Sequence, residues 1–363
     1  RVIHRSNLHP YAVGRIEADH FVCLVDPANI NYEHLKQFLH QTLVFDQRSL
    51  DVYGVCGIYM IPAEDRLDSV SNMCDRAHMA KDYIEDEYVQ PYAIFDQKMG
   101  NSYMERNDAL RDISNALEKH EFQVYYQPVY DAFSGEIASA EALVRWKKAD
   151  GEMVSPGIFV PALEDSGRIS QMDLFVERSV LSFMEERYKK GQFIVPVSMN
   201  MSQMDFFDKD MMASVLLDVS NTDLPMDYTR FEVTETAYST VASNNRNVLL
   251  DMKRIGVKFY LDDFGSGYSS FSTIRDYDFD VVKLDMGFVQ KIGTTTKANA
   301  VIQAIIDMAH AIGSKVVAEG AETKEQVDAL REMGCDYIQG FYFSKPLPQE
   351  EFEALLNAQY RED

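Results

Sequence analysis

Residues 257–285 read VKFYLDDFGSGYSSFSTIRDYDFDVVKLD. Positions 257–261 form a short run of β-branched and aromatic residues that reads as a strand, and it runs straight into Asp262-Asp263. Positions 281–284 form a second such run, which carries Lys283 and ends on Asp285. Just upstream, Val248, Leu249, Met252 and Ile255 lie on one helical face, closed by Gly256. The unit is therefore helix, strand, ionic strand end. Working outward, it recurs. Strands are expected at 122–126, 142–146, 193–198, 230–234, 257–261, 281–284, 315–318 and 337–338, with amphipathic stretches between them, such as 301–312. About eight strands in ~250 residues is the rhythm of a (β/α)8 barrel. An open doubly wound sheet alternates too. The polar residues decide for the barrel, because they fall at the C-terminal end of nearly every strand.

Those ends offer Glu141 with Arg145, Asn200, Glu232 with Glu235, Asp262 with Asp263, Lys283 with Asp285, Glu319 with Glu322, and Gln339. In a barrel they share one mouth, where such enzymes keep their sites. Glu141, Glu232, Asp262, Asp263 and Glu319 in one small volume repel one another, and divalent cations remove that repulsion. All-oxygen ligation, with Asn200 adding an amide oxygen, suits Mg²⁺ or Mn²⁺. The adjacent pair Asp262-Asp263 suits two ions about 3.5–4 Å apart, as used in in-line phosphoryl displacement. Taken singly, each position has a blander reading: a solvated strand end, a turn before Gly265-Ser266-Gly267, a surface lysine. The bland reading fails for the set. Asp263-Phe264-Gly265 also occurs in protein kinases, but no glycine-rich nucleotide loop or H-R-D loop accompanies it.

The chain has 363 residues, 46% hydrophobic and 26% charged, which bounds it to a soluble globular class with one large domain and a smaller one. The net charge of −23 disfavours a nucleic-acid polymer or an anionic membrane as partner. An anionic substrate then needs a cationic element in the site, which metals supply. Cys23, Cys56, Cys74 and Cys335 show no zinc spacing and read as reduced cytoplasmic thiols. No run is apolar and long enough to span a bilayer. The chain opens on Arg1 rather than Met, as a fragment of a longer protein would.

At this point the motifs resemble the EAL family. Tyr126-Gln127-Pro128, Glu141-Ala142-Leu143-Val144-Arg145-Trp146, Phe159-Val160-Pro161 with Glu164 and Gly167, and Asn200-Met201-Ser202 stand in the family's order. Glu232-Val233-Thr234-Glu235, DDFGSGYSS from Asp262, Lys283-Leu284-Asp285, Ala318 to Thr323 and Gln339-Gly340 complete the series. The departures are Lys147-Lys148 in place of His-Pro and Ser266 in place of Thr. The resemblance covers roughly 108–363 and implies a modified barrel that hydrolyses cyclic di-GMP (c-di-GMP) to linear pGpG. It implies one metal on Glu141, Asn200, Glu232 and Asp262, and a second on Asp262, Asp263 and Glu319. Lys283 would hold the attacking water or stabilise charge on the phosphate, and Arg145 would grip a phosphate oxygen. Gln127 and Gln339 would position substrate, while Glu235, with Asp285 and Glu322, would position the loop after Asp263. A cytoplasmic homodimer with two Mg²⁺ or Mn²⁺ ions is the expectation.

Residues 1–100 read as part of a small α/β domain, with 101–107 as a linking segment and a helix at 107–120. Strands are expected at 11–25 and 50–59 and a helix at 69–83. Gly14-Arg15-Ile16-Glu17-Ala18-Asp19-His20-Phe21, with Ala77, Ala80 and Lys81 further on, is similar to a GGDEF domain, and the similarity implies that part of that domain precedes Arg1. Glu17 and Ala18 stand where two glycines wrap a nucleotide phosphate, and only Asp19 is kept as a metal ligand, so a regulatory domain without cyclase activity is implied. Two further readings compete for the barrel. One is a c-di-GMP receptor that does not cleave; complete ligands count against it. The other is an enolase-like proton abstractor using Lys283; the Gln127-Pro128 and Glu141–Arg145 strings count against it.

Overall fold

The structure is a computed structural model and describes residues 8–17, 20–45, 48–84, 89–235, 237–238, 246–264 and 278–359. The chain divides into two compact units, 1–109 and 110–363. The division falls inside one 22-residue helix, Gln97–Glu118, so the segment 101–107 is helical and the helix expected from 107 starts ten residues earlier.

In the first unit, the expected strand 11–25 is a hairpin of β1 (Ala12–Glu17) and β2 (His20–Leu24), and Asp19 lies outside the described residues. Helix Tyr32–Leu39, which the sequence reading passes over, is capped by Asn31. It leads into a second antiparallel pair, β3 (His40–Phe45) and β4 (Arg48–Tyr53). The expected strand 50–59 is broken after Tyr53, with Gly54 and Val55 in neither strand. The remainder, β5 (Cys56–Ile58), pairs in parallel with β6 (Tyr92–Ile94), with helix Val70–Lys81 between them in sequence. Leu35, Ala80 and Pro91 are the buried aliphatic side chains among this unit's described residues before 100.

The second unit is a closed barrel. Its eight staves are β7 (Phe122–Asp131), β8 (Ile137–Lys147), β10 (Val197–Asn200), β11 (Thr229–Thr234), β12 (Lys258–Phe264), β13 (Val281–Leu284), β14 (Lys315–Ala318) and β15 (Tyr337–Ile338). Two-residue strands β9 (Met153–Val154) and β16 (Leu347–Pro348) flank β8 and β7. Each of the eight expected strands has a counterpart, but the one expected at 193–198 begins only at Val197 and runs to Asn200, with 193–196 irregular. The modification is in the first. β7 runs antiparallel to both its neighbours, β8 and β15, and joins β8 through a tight turn whose bend Asp131 caps. The remaining neighbours are parallel.

Two apolar layers hold the barrel. A large cluster packs the outer strand faces, including Ala142, Met199, Phe231, Phe259, Val282 and Val316, against the surrounding helices. A smaller one, Val129, Tyr260, Val281 and Val317 with Tyr337 against it, fills the lumen. The alternation of period two sends every second residue inward. Residues two steps beyond this lumen layer therefore arrive together at the C-terminal mouth.

Candidate active site

Those residues are Gln127, Asp262, Lys283, Glu319 and Gln339, joined by Glu141 and Glu232. Glu141 sits opposite Gln127 on β7 and beside Ser198 on β10, and Asn200 sits beside Glu232. Lys283 is the hub. It is 2% exposed, and its Nζ lies 2.7 Å from Glu319 Oε1, 3.1 Å from Asp262 Oδ1 and 3.5 Å from Glu141 Oε2, with Glu232 Oε2 in direct ion contact. Burial opposes a charged lysine, but the carboxylates of Asp262, Glu141, Glu232 and Glu319 outweigh it and hold the ammonium protonated well above its usual range.

One ammonium does not neutralise this many acids. Burial, reinforced by Glu141, pushes Glu232 well above the ordinary carboxylate range. Burial also pushes Glu319 up to about 7, with Lys283 opposing and Asp262 and Glu141 adding to the rise. Asp263 is raised for the same reasons, burial first and Asp262 second. Each of these directions marks excess negative charge in a place poor in water.

Adjacent residues on a strand normally face opposite ways, yet Asp262 and Asp263 both serve the mouth. The register between β12 and β13 slips by one residue between Leu261 and Phe264, and Asp263 sits in the left-handed region at φ 54°. A bulge with a left-handed residue turns the second carboxylate back toward the first. Aspartate tolerates that conformation better than most residues, but it is strained backbone held at a functional position. The result is that one ligand oxygen each from Asp262, Asp263 and Glu319 lie within 4.8 Å of one another. Asp262 Oδ1 is buried with no hydrogen bond of good geometry, although Lys283 Nζ is near. A divalent cation suits this donor set: hard oxygens, surplus charge and an unsatisfied buried oxygen.

Glu141 is fixed from two sides. Gln339 Nε2 donates to its Oε2 at 2.6 Å and to Gln127 Oε1 at 3.1 Å, while Asn200 Nδ2 donates to its Oε1 at 3.2 Å. Gln127 Nε2 in turn donates to the Ser344 carbonyl at 3.3 Å. Both glutamines are buried, and the sequence reading misses this bracing role because it depends on partners some 200 residues away. Two glycines beside the site have steric reasons. A Cβ at Gly320, at φ 70°, would lie 2.6 Å from Met286 Cβ, and one at Gly340 would collide with the Ala321 carbonyl.

The remaining expected residues lie further out. Arg145 is half-buried, donates to the Val144 carbonyl and stands over the Tyr125 ring, with its centre 5.9 Å away. Asp285 caps helix Met286–Val289 through Gly287 N. Glu322 is exposed, and its backbone N–H donates to Gln326 in the capping box of helix Lys324–Glu332. Glu235 follows β11, and the loop it is expected to hold, 265–270, lies outside the described residues.

The fold and the mouth together define a barrel, parallel but for its first strand, with an acid-lined mouth around a buried lysine. The EAL domain profile matches residues 110–346, and the chain belongs to the EAL domain family. It is 28% identical over 356 residues to the cyclic di-GMP phosphodiesterase NbdA of Pseudomonas aeruginosa, covering 97% of this chain and 45% of that protein. Among solved structures, the PaMucR phosphodiesterase in complex with c-di-GMP matches with TM-score 0.64 and 29% identity, over 68% of this chain and 99% of that one. The EAL domain protein of Listeria monocytogenes matches with TM-score 0.60 and 33% identity, over 68% and 96%. The chain spans about half the length of the curated relatives it matches.

Proposed function

We propose that this protein hydrolyses c-di-GMP to linear pGpG in a reaction that depends on two divalent cations, Mg²⁺ or Mn²⁺. The observation that carries this reading is the meeting of Asp262, Asp263 and Glu319 around one point beside the buried Lys283. Names of relatives and the c-di-GMP in the PaMucR complex support the choice of substrate. Glu141, Asn200, Glu232 and Asp262 would hold one cation, and Asp262, Asp263 and Glu319 the other. Bound there, the cations supply Lewis acidity and counter-charge to a phosphodiester.

The chain's own groups do the rest. Water attacks phosphorus in line, the P–O3′ bond breaks, and the 3′ oxygen leaves with a proton while the 5′-phosphate stays on the opened dinucleotide. Lys283, held protonated by its carboxylates, stabilises charge that builds on the phosphoryl oxygens. Gln339 and Asn200 keep Glu141 oriented, as outer partners orient a ligand. Arg145 takes a phosphate oxygen. In this reading the first unit is a GGDEF-like regulatory module that makes no c-di-GMP, and the protein works in the cytoplasm as a homodimer.

The deciding experiment is turnover of c-di-GMP by the purified protein with Mg²⁺ or Mn²⁺ and again in EDTA, with the product identified by mass. Metal-dependent release of pGpG is expected. Tight binding of c-di-GMP without turnover makes the protein a receptor instead. Synthesis of c-di-GMP from GTP would overturn the role given to the first unit.

A further inference from the structure

A cavity of about 680 Å³ opens at the other end of the barrel. Its wall is made by residues at the starts of the strands: Arg230 on β11, Lys258 on β12, Val281 on β13, Lys315 on β14 and Tyr337 on β15. Lys253 reaches in from the end of helix Arg246–Arg254, and Tyr260 stands behind as the floor. In a chain of net charge −23, four cationic side chains line one concavity against two carboxylates, Asp278 and Asp280.

Among the described residues only Lys258 has a carboxylate in direct ion-pair contact, Asp280 at 2.8 Å, while Asp278 and Asp280 act on Lys253, and Asp336 and Asp131 on Lys315, from further away. Arg230 donates to the Tyr260 hydroxyl and Lys315 to the Tyr337 hydroxyl at 2.8 Å, each cation also standing over its ring. Lys253 donates to the Asp278 carbonyl. Both phenol oxygens therefore accept from a cation, and each keeps its own proton to donate. Among the described residues neither proton has an acceptor, although Tyr260 is 3% exposed. Burial raises the Tyr260 phenol to about 12, so it keeps that proton. Burial lowers Lys253, while Asp278 and Asp280 oppose the fall and Lys258 adds a smaller push in the same direction. The carboxyl ends of helices Arg246–Arg254 and Thr296–Ala311 lie nearby and favour the cations themselves. They do not supply an acceptor for the two hydroxyls.

We propose that this cavity is a binding site for a small phosphate-bearing anion, with Arg230, Lys253 and Lys315 as counter-charges and the Tyr260 and Tyr337 hydroxyls as donors. A phosphate offers several acceptor oxygens to such a ring. The cavity volume falls in the range of small-ligand sites, and Phe279 and Ile312 add apolar wall for an organic part. The ligand class is a phosphomonoester, and free phosphate shares its head-group chemistry.

Calorimetric titration of the full chain with inorganic phosphate and with adenosine 5′-monophosphate, in EDTA so that the carboxylate mouth repels anions, tests the site. Saturable binding is expected, weakened at least about tenfold in the Lys253→Met/Lys315→Met variant and also weakened in Tyr337→Phe. Tighter binding of the nucleotide supports a phosphomonoester ligand, and equal affinity supports the same site for free phosphate. The proposal is overturned if neither anion binds saturably at millimolar concentration, or if affinity is unchanged in both variants. Melting temperature checks that each variant is folded. If the double variant is not, Tyr337→Phe decides the question alone.

Discussion

The two mouths of the barrel are built on the same strands and carry opposite charge. β11 passes from Arg230 to Glu232, β12 from Lys258 through Tyr260 to Asp262, and β14 from Lys315 through Val317 toward Glu319. A lumen layer of Val129, Tyr260, Val281, Val317 and Tyr337 separates them. At the C-terminal mouth the charges are buried and crowded, so Glu232, Asp263 and Glu319 all hold protons more tightly than free carboxylates do. At the N-terminal mouth Lys258 and Lys315 keep contact with water, and the phenols share the burden of the cations. The lesson lies in the difference in solvation. Charge held out of water without enough counter-charge is what a bound cation relieves, whereas charge held at the rim is tolerated on its own.

The largest effect should come from the crowded mouth. In c-di-GMP turnover assays Lys283→Ala should lower kcat by about 10²–10³-fold while substrate still binds. Glu319→Gln should do the same, and EDTA should abolish turnover reversibly. Wild-type rates in both variants would remove these residues from the chemistry. Smaller, but in the same place, Gln339→Ala should lower activity or metal affinity by about 10–100-fold, because Glu141 loses one of its braces. A metal titration of the rate separates the two.

Much of this mouth was legible in the sequence, and for a physical reason. Inward positions recur every second residue and strand ends are short, so Asp262, Lys283 and Glu319 declare themselves by sitting at the close of apolar runs. The barrel was legible for the same reason, down to strand 281–284, whose bounds match the structure. What was not legible depends on pairing. Nothing local in 122–131 says that β7 runs antiparallel, and nothing in 50–59 says that the chain leaves one sheet at Tyr53 and joins another at Cys56. The bracing of Glu141 by Gln339, which also donates to Gln127, is likewise a contact across the whole domain. The cationic ring at the strand starts was missed because a lysine or arginine opening a strand looks like any solubilising residue. Only closure of the barrel brings Arg230, Lys258 and Lys315 to one place.

A buried carboxylate away from both mouths sharpens the contrast, since it has neither the shared acid cluster nor a lysine. Glu177, on helix Ile169–Lys189, is 1% exposed, and both carboxyl oxygens lack hydrogen bonds. Burial, aided by Asp218, pushes it up to about 8 from 4.5. A carboxyl raised in the folded state binds its proton more tightly there, so its contribution is full below about 4.5 and lost as pH rises through about 8. Glu177→Gln should therefore stabilise the protein by about 1–3 kcal/mol at pH 9 in urea melts, with the advantage shrinking at lower pH. A gain that does not depend on pH would point to packing instead.

The smallest effect belongs to the solvated mouth. The Lys258–Asp280 pair is 2.8 Å long, with side chains 43% and 32% exposed, so water screens it and it stabilises the fold by well under about 1 kcal/mol. Lys258→Met should leave the urea midpoint almost unchanged. Asp280→Ala should cost more, about 1–2 kcal/mol, because Asp280 Oδ2 also accepts from Phe259 N at 3.0 Å. That backbone N–H is part-buried, and removing the carboxylate strands it, whereas removing the lysine strands nothing. If the two variants cost the same, the pair acts as an ion pair and the rim is less solvated than its exposure implies. If Asp280→Ala alone is costly, the carboxylate is there to cap a strand, and the lysine's charge is left over for the cavity it lines.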